Sequence, residues 1–297
     1  MTTHVHHPAA HGAAPDVVGW LVPVAVVLML VGAYRALAAR RERALDRRWG
    51  RARTTAWVTG AALLALGVSP PVAELAHADA RGHMLQHLLL GMYAPLGLVL
   101  GAPVTLLLGA ATTAGRRRVA AVLRSVPVRV LSHPLVAGAI DMGGLYVLYL
   151  TGLYAASLSS TLLHGAVGLH LVLAGTLFTW AVAGPDPAPH RPGVRVRVVA
   201  LVLAAGAHAY LATLLYARAP ALPPGGGHTA AEMEQAAQWM YYGGDVAEVA
   251  LAVALFAGWY RARGRRGDAA RGVWALPQGD AARTGGRAAP PPLGSGG

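Results

Sequence analysis

MLQHLLLGMYAPLGLVLGAPVTLLL, residues 84–108, contains no acidic and no basic side chain apart from His87. Roughly 20 apolar residues, rising 1.5 Å each along a helix, cross the hydrocarbon core of a bilayer. This stretch is long enough to do so. Six others read the same way: 17–34, 55–75, 134–156, 162–183, 198–217 and 238–260. The polar segments between them are too short to cover a detached soluble core. The sequence therefore predicts an all-α fold, a polytopic membrane helical bundle with seven transmembrane helices.

The basic residues orient that bundle. All 25 are arginine, against 13 acidic residues, for a net charge of +12. Residues 35–53 carry eight of them, 110–133 five, 184–197 three, and the tail after Tyr260 seven. These segments alternate along the chain. The other connections hold only Arg81 and Arg218. Cytoplasmic loops collect arginine, so the N-terminus is expected outside and the C-terminus inside. The same placement excludes nucleic acid as the partner of the positive charge. The first stretch lacks a basic leader and is followed by arginines, which reads as stop-transfer and not as a signal peptide.

Three segments follow. Residues 1–15 are a disordered, histidine-rich extracytoplasmic leader, 16–260 the membrane domain, and 261–297 a disordered Arg/Gly/Pro-rich cytoplasmic tail. No internal repeat is visible. The outer connection 218–230, with Pro220, Pro223, Pro224 and three glycines, reads as an irregular loop. Charged residues are 13% of the chain, about half the share of a soluble domain. Cysteine is absent. That excludes a disulfide scaffold, thiolate zinc sites and thiolate-held iron–sulfur clusters.

Ionisable groups at membrane depth are costly and point to function. His83 and His87 stand at i and i+4, on one face of a helix. Imidazole suits copper, zinc or iron, and thioether favours Cu(I). Met84 adjoins them in sequence but points to another face. The span at 162–183 brings His164 and, about 9 Å deeper, His170. Their spacing of six separates them in angle. His208 lies in the middle of its span, and Asp245 and Glu248 stand at i and i+3 in the last. His87, His170, His208, Asp245 and Glu248 could share one layer in the outer half of the membrane. A metal or haem site and a buried hydrogen-bond network are the two readings of that layer.

Asp141 falls toward the inner side, away from this layer, and is assigned to structure. Glu74 and His77 are read as interfacial. Pro95, Gly101 and Pro103 are expected to bend their helix, which either opens room below His87 or relieves the length of this apolar stretch. Trp180, Trp239, Tyr241 and Tyr242 suit interfacial belts or bundle packing. In the leader, which carries His4, His6, His7 and His11, a chain starting Thr2-Thr3-His4 would offer a square-planar Cu(II) chelate.

His83-Met84-Leu85-Gln86-His87-Leu88-Leu89-Leu90, continuing through Ala94-Pro95-Leu96 to Leu100-Gly101-Ala102-Pro103-Val104-Thr105, resembles a family signature. The family is the multi-span cytochrome c oxidase assembly factors of the CtaG type, associated with caa-type oxidases. Ser69-Pro70-Pro71 is similar to its end of span two. His164, His170, Phe178 to Pro187 and His208 look like its patterns in spans five and six. Glu234-Gln235 through Met240 resembles a family motif that more often has aspartate before glutamine. The match covers roughly residues 55–260. A single-span copper factor shares the CtaG name, but it bears cysteine and this chain does not.

The resemblance implies a multi-pass protein of the bacterial plasma membrane that acts in assembling a haem–copper oxidase, in contact with the bilayer and with oxidase subunits. Copper is the implied cargo. His83 and His87 would bind it from outside. His164, His170 and His208 would complete or relay the site, with Met84 and Met240 as soft ligands. No covalent catalysis is called for, because no nucleophile–base pair or phosphate-binding loop is present. Two alternatives stand beside this reading: a haem-binding membrane redox protein, and a metal or proton transporter using Asp245 and Glu248.

Overall fold

The computed structural model describes the backbone of residues 17–274 and the side chains of residues 19–264. The leader histidines and the Thr2-Thr3-His4 motif lie outside the described residues, as does the tail after residue 274. Among the described residues all regular structure is helical. The helices are α1 (Val17–Leu45), α2 (Arg51–Gly67), α3 (Pro70–Ala78) and α4 (Ala80–His87), then a π-helical segment (Leu88–Tyr93). There follow α5 (Ala94–Leu100), α6 (Pro103–Ala110), α7 (Thr113–Arg124), α8 (Val126–Leu131) and α9 (Pro134–Leu150). The last four are α10 (Leu153–Ser159), α11 (Thr161–Ala183), α12 (Val194–Ala217) and α13 (Ala230–Trp274).

Five stretches are each long and apolar enough to cross a membrane: Gly19–Leu45, Ala80–Ala110, Thr161–Ala183, Val194–Ala217 and Ala230–Gly264. Two bent pairs raise the number to as many as seven. They are α2 with α3, bent by 50°, and α9 with α10, bent by 77°. Apolar side chains such as Leu28, Leu162, Val202 and Val249 point outward, the arrangement a lipid solvent rewards.

The stretches 55–75 and 134–156 were each expected as one span. Local chemistry bends both. At the first, Pro70 and Pro71 remove two backbone donors, and the Ser69 hydroxyl donates to Leu66 O at 2.7 Å. At the second, the Thr151 hydroxyl donates to Val147 O at 2.6 Å and accepts from Leu153 N at 3.2 Å. That pair of bonds ends α9 and starts α10. The connection 110–133 also differs from a plain loop. Thr112 caps α7 by accepting from Gly115 N at 3.3 Å, and α8 follows it.

The stretch 84–108 is broken twice. Pro95 lacks the N–H that would bond Gly91 O, and the turn before it widens into the π segment. Ala102 then takes a left-handed conformation, φ 55°, ahead of Pro103. The Tyr34 hydroxyl of α1 satisfies the carbonyl of Gly101 at 2.7 Å. Trp49 Nε1 in turn donates to Tyr34 Oη at 2.7 Å. The Trp49 ring lies under the guanidinium groups of Arg41 and Arg53, each 4.7 Å from its centroid. The Asp186 carboxylate accepts from Val104 N and Thr105 N at the same break.

Glycine sets the helix spacing. Gly60 on α2 faces Gly97 on α5, backbone to backbone, because neither carries a side chain. The largest buried cluster includes Met84, Leu145, Leu148, Tyr149, Leu211 and Met240, from four helices. It surrounds the buried histidines. The helix that supplies Met240 starts at a reciprocal capping box: Glu232 N donates to Thr229 Oγ1 at 3.2 Å, and Thr229 N to Glu232 Oε2 at 2.9 Å. The chain divides at Ala257 into a main body and a C-terminal unit, in which Arg263 stacks on Trp259 at 4.9 Å.

Candidate metal centre

Asp79 starts α4 by accepting from Arg81 N at 2.8 Å. The Arg81 guanidinium also pairs with the Asp79 side chain, and it holds that carboxyl below the usual carboxylate range. Arg81 reaches further, donating from Nη1 to Gln235 Oε1 at 2.9 Å. So Gln235, part of the Glu234-Gln235 motif, ties α13 to the start of α4.

From there α4 carries His83 and His87 inward on one face. They are 3% and 2% exposed, and His208 is 2% exposed. Among the described residues, all four ring nitrogens of His83 and His87 lack a hydrogen-bond partner, as does His208 Nε2. Each neutral imidazole carries an N–H and a lone pair, and burying either unmade costs about 1–3 kcal/mol. Buried polar atoms left unpaired call for a partner, whether water, ion or ligand.

The histidines form two groups. In the outer one the His83 ring meets Tyr154 edge-on at 4.8 Å and Tyr149 at 6.0 Å. His164 stands 6.1 Å from His83, and His77 lies 4.4 Å from His164. His164 Nε2 pairs with Gln86 Oε1 at 2.9 Å, and Gln86 Nε2 donates to Gly67 O at 2.9 Å. Met84 is buried beside this group, and the Tyr149 hydroxyl donates to its sulfur at 3.8 Å. On the 218–230 loop, His228 comes within 6.4 Å of the Tyr154 ring.

The inner group is His87 and His208, with ring centroids 5.9 Å apart. Glu248 Oε1 lies 3.4 Å from His208 Nδ1. The His208 ring fits because residue 244 is glycine: a Cβ there would sit 2.6 Å from Nδ1.

His170 joins neither group. It is exposed on another face of α11, where it fills the space beside Gly144 in a groove with Val147 and Leu163. The six-residue spacing from His164 turns it there. Asp245 is half-buried and makes no hydrogen bond or ion pair with the described residues. Asp141, assigned to structure by the sequence, lines a cavity of about 30 Å³ that Glu248 also lines. Gly91, Met92 and Leu96 of the bent helix line it too, one turn or more beyond His87.

Among the described residues, no three His, Asp or Glu side chains converge to hold one ion. The geometry offers pairs: His83 with His164, and His87 with His208. Two imidazoles suffice for a linear Cu(I) centre, whereas a four-coordinate ion would need movement or further ligands. Of the surrounding residues, Tyr149, Tyr154 and His228 carried no signal in the sequence, because only the tertiary fold brings α9, α10 and the outer loop to α4.

The fold and site define a multi-helix membrane protein with three buried histidines whose ring nitrogens are largely without hydrogen-bond partners among the described residues. The chain belongs to the cytochrome c oxidase caa3 assembly factor family (Caa3_CtaG), whose model matches residues 31–262. This is the family that the His83–Thr105 motif resembles. An uncharacterized protein of Mycobacterium leprae is 32% identical over 182 residues, covering 59% of this chain and 28% of that protein. Uncharacterized proteins of Mycobacterium bovis and Mycobacterium tuberculosis are each 31% identical over 202 residues, covering 66% of this chain and 30% of theirs. The chain thus matches less than a third of the length of these relatives. No solved structure matches it.

Proposed function

We propose that this protein binds copper at its outer histidines and passes it to a subunit of a caa3-type oxidase during assembly. In this reading each bent pair is one span. Seven spans then cross the plasma membrane, with the N-terminus outside and the arginine-rich connections inside. His83 and His164 receive the ion, and His87 and His208 hold it more deeply. Met84 stands beside the path as a soft ligand. Release is ligand exchange, without covalent catalysis.

The observation that carries the reading is the set of buried, unpaired nitrogens on His83, His87 and His208. The family supports the process, and imidazoles beside the Met84 thioether suit copper. Purified protein in detergent tests it. Wild type is expected to retain copper against a competing chelator, and His83→Ala with His87→Ala to lose it. Cells complemented with that double variant are expected to lack assembled oxidase. Unchanged copper binding and full oxidase activity in the variant would overturn the site, and a Soret band in the wild-type protein would point to haem instead.

Gly244→Ala probes the same site without removing a ligand. The added methyl forces the His208 ring out of place, so copper affinity is expected to fall about 10–100-fold, the usual effect of misplacing a ligand. Gly206→Ala, which meets nothing within 4 Å, is the control. Equal affinities in the two variants would remove His208 from the site.

A further inference from the structure

We propose that His77 and His164 form a surface site for a divalent ion of the imidazole-binding class, zinc or Cu(II), at the mouth of the buried histidines. The pair as a metal site stands on its own geometry. Only its role in loading the deeper histidines rests on the copper reading above.

The hydrogen bonds of the two rings decide where their lone pairs lie. Gln86 Nε2 donates to Gly67 O at 2.9 Å, so the amide oxygen of Gln86 is the end that meets His164. That oxygen only accepts. His164 Nε2, 2.9 Å from it, therefore carries the proton, and in the neutral ring the lone pair falls on Nδ1. His164 Nδ1 is buried and has no hydrogen-bond partner among the described residues. His77 Nδ1 lies 2.7 Å from Ala73 O, so it donates there and leaves its lone pair on Nε2. A histidine that binds metal nearly always gives its other N–H to a carbonyl or a similar acceptor, which fixes the tautomer. Both rings meet that condition.

The rings are also close. Their centroids are 4.4 Å apart and their planes are tilted by 33°, so they lie nearly stacked. Metal–imidazole bonds measure about 2.0–2.1 Å, so in a linear centre the two nitrogens alone would be about 4 Å apart, with both rings beyond them. Near-stacked rings suit a bent nitrogen–metal–nitrogen angle instead, as in a four-coordinate zinc or Cu(II) ion. His77 is exposed, so water completes the coordination from its side. A position held by water is one that a further ligand can take. His83, with both ring nitrogens unpartnered among the described residues, stands 6.1 Å from His164. An ion at the pair is thus one ring away from the buried histidines.

Residue-resolved protection tests the pair. Diethyl pyrocarbonate modifies a histidine at its free lone pair, and mass spectrometry of the purified full chain reads the adduct at each position. Zn(II), and in a parallel series Cu(II), is added in excess over the four leader histidines. The ion is expected to protect His77 in wild type and to leave it unprotected in His164→Ala. Size-exclusion elution verifies folding, and His164→Asn repeats the test should His164→Ala not fold. The His83→Ala/His87→Ala variant is expected to keep the protection, so failure of the copper reading leaves this result untouched. Equal modification of His77 in wild type with and without either ion would overturn the site. Protection that survives in the His164 variants would overturn the pairing, and protection lost in His83→Ala/His87→Ala would move the ion to the buried histidines and overturn it too. Protection by one ion alone supports the site and identifies its ion.

Discussion

Gly97→Ala is expected to destabilise the protein by about 3 kcal/mol, at the upper end of the cost of overpacking. A Cβ at position 97 would lie 2.6 Å from Gly60 Cα, 2.7 Å from Gly60 N and 2.8 Å from Ala56 O. All three are backbone atoms, which cannot rotate aside. The two helices must separate, and the packing around the break at Gly101 separates with them. A thermal-unfolding scan in detergent, with Gly143→Ala as a control that meets nothing within 4 Å, measures the effect. A midpoint equal to that of the control would mean that α2 and α5 are not in backbone contact.

Asp186→Ala is expected to cost a similar amount, about 3 kcal/mol. Asp186 is 3% exposed, and its carboxylate accepts from Val104 N at 3.1 Å, Thr105 N at 2.7 Å and Thr105 Oγ1 at 2.6 Å. These are the donors that the start of α6 leaves open after the left-handed turn at Ala102. A negative group there also meets the positive end of the helix dipole. Arg191 secures the loop that carries Asp186, donating to Asp186 O at 3.1 Å and Trp180 O at 3.2 Å. Burial pushes the Arg191 guanidinium down to about 10, which leaves it a cation at neutral pH. Asp186→Asn keeps one acceptor and is expected to fall between wild type and Asp186→Ala. Unfolding midpoints for both variants within a degree of wild type would refute the capping role.

The sequence made the long apolar segments legible, because lipid imposes a simple length requirement that composition alone meets. It also placed His83 and His87 on one face, since spacing within a helix fixes angle. Angles between helices are another matter. They depend on contacts such as Gly60 against Gly97, and on the approach of Gly175 to the Gly91 carbonyl, which no periodicity encodes. For that reason Asp141 was set apart from Glu248 although the two share a cavity. His170 was placed in the histidine layer by depth, while its angle took it to another face of α11. The bends at Ser69 and Thr151 turned on side-chain hydrogen bonds of single residues. The N-terminal histidines lie outside the described residues.

The bond from Tyr34 to Gly101 bears on how the protein is made. Ribosomes deliver helices to the membrane in order, so α1 is already in the bilayer when the broken third segment emerges. The carbonyl freed at Gly101 is buried, so its partner must come from the protein. Tyr34 offers it a hydroxyl that arrived earlier, backed by Trp49. The first helix thus brings in advance the donor that a later break in the chain requires.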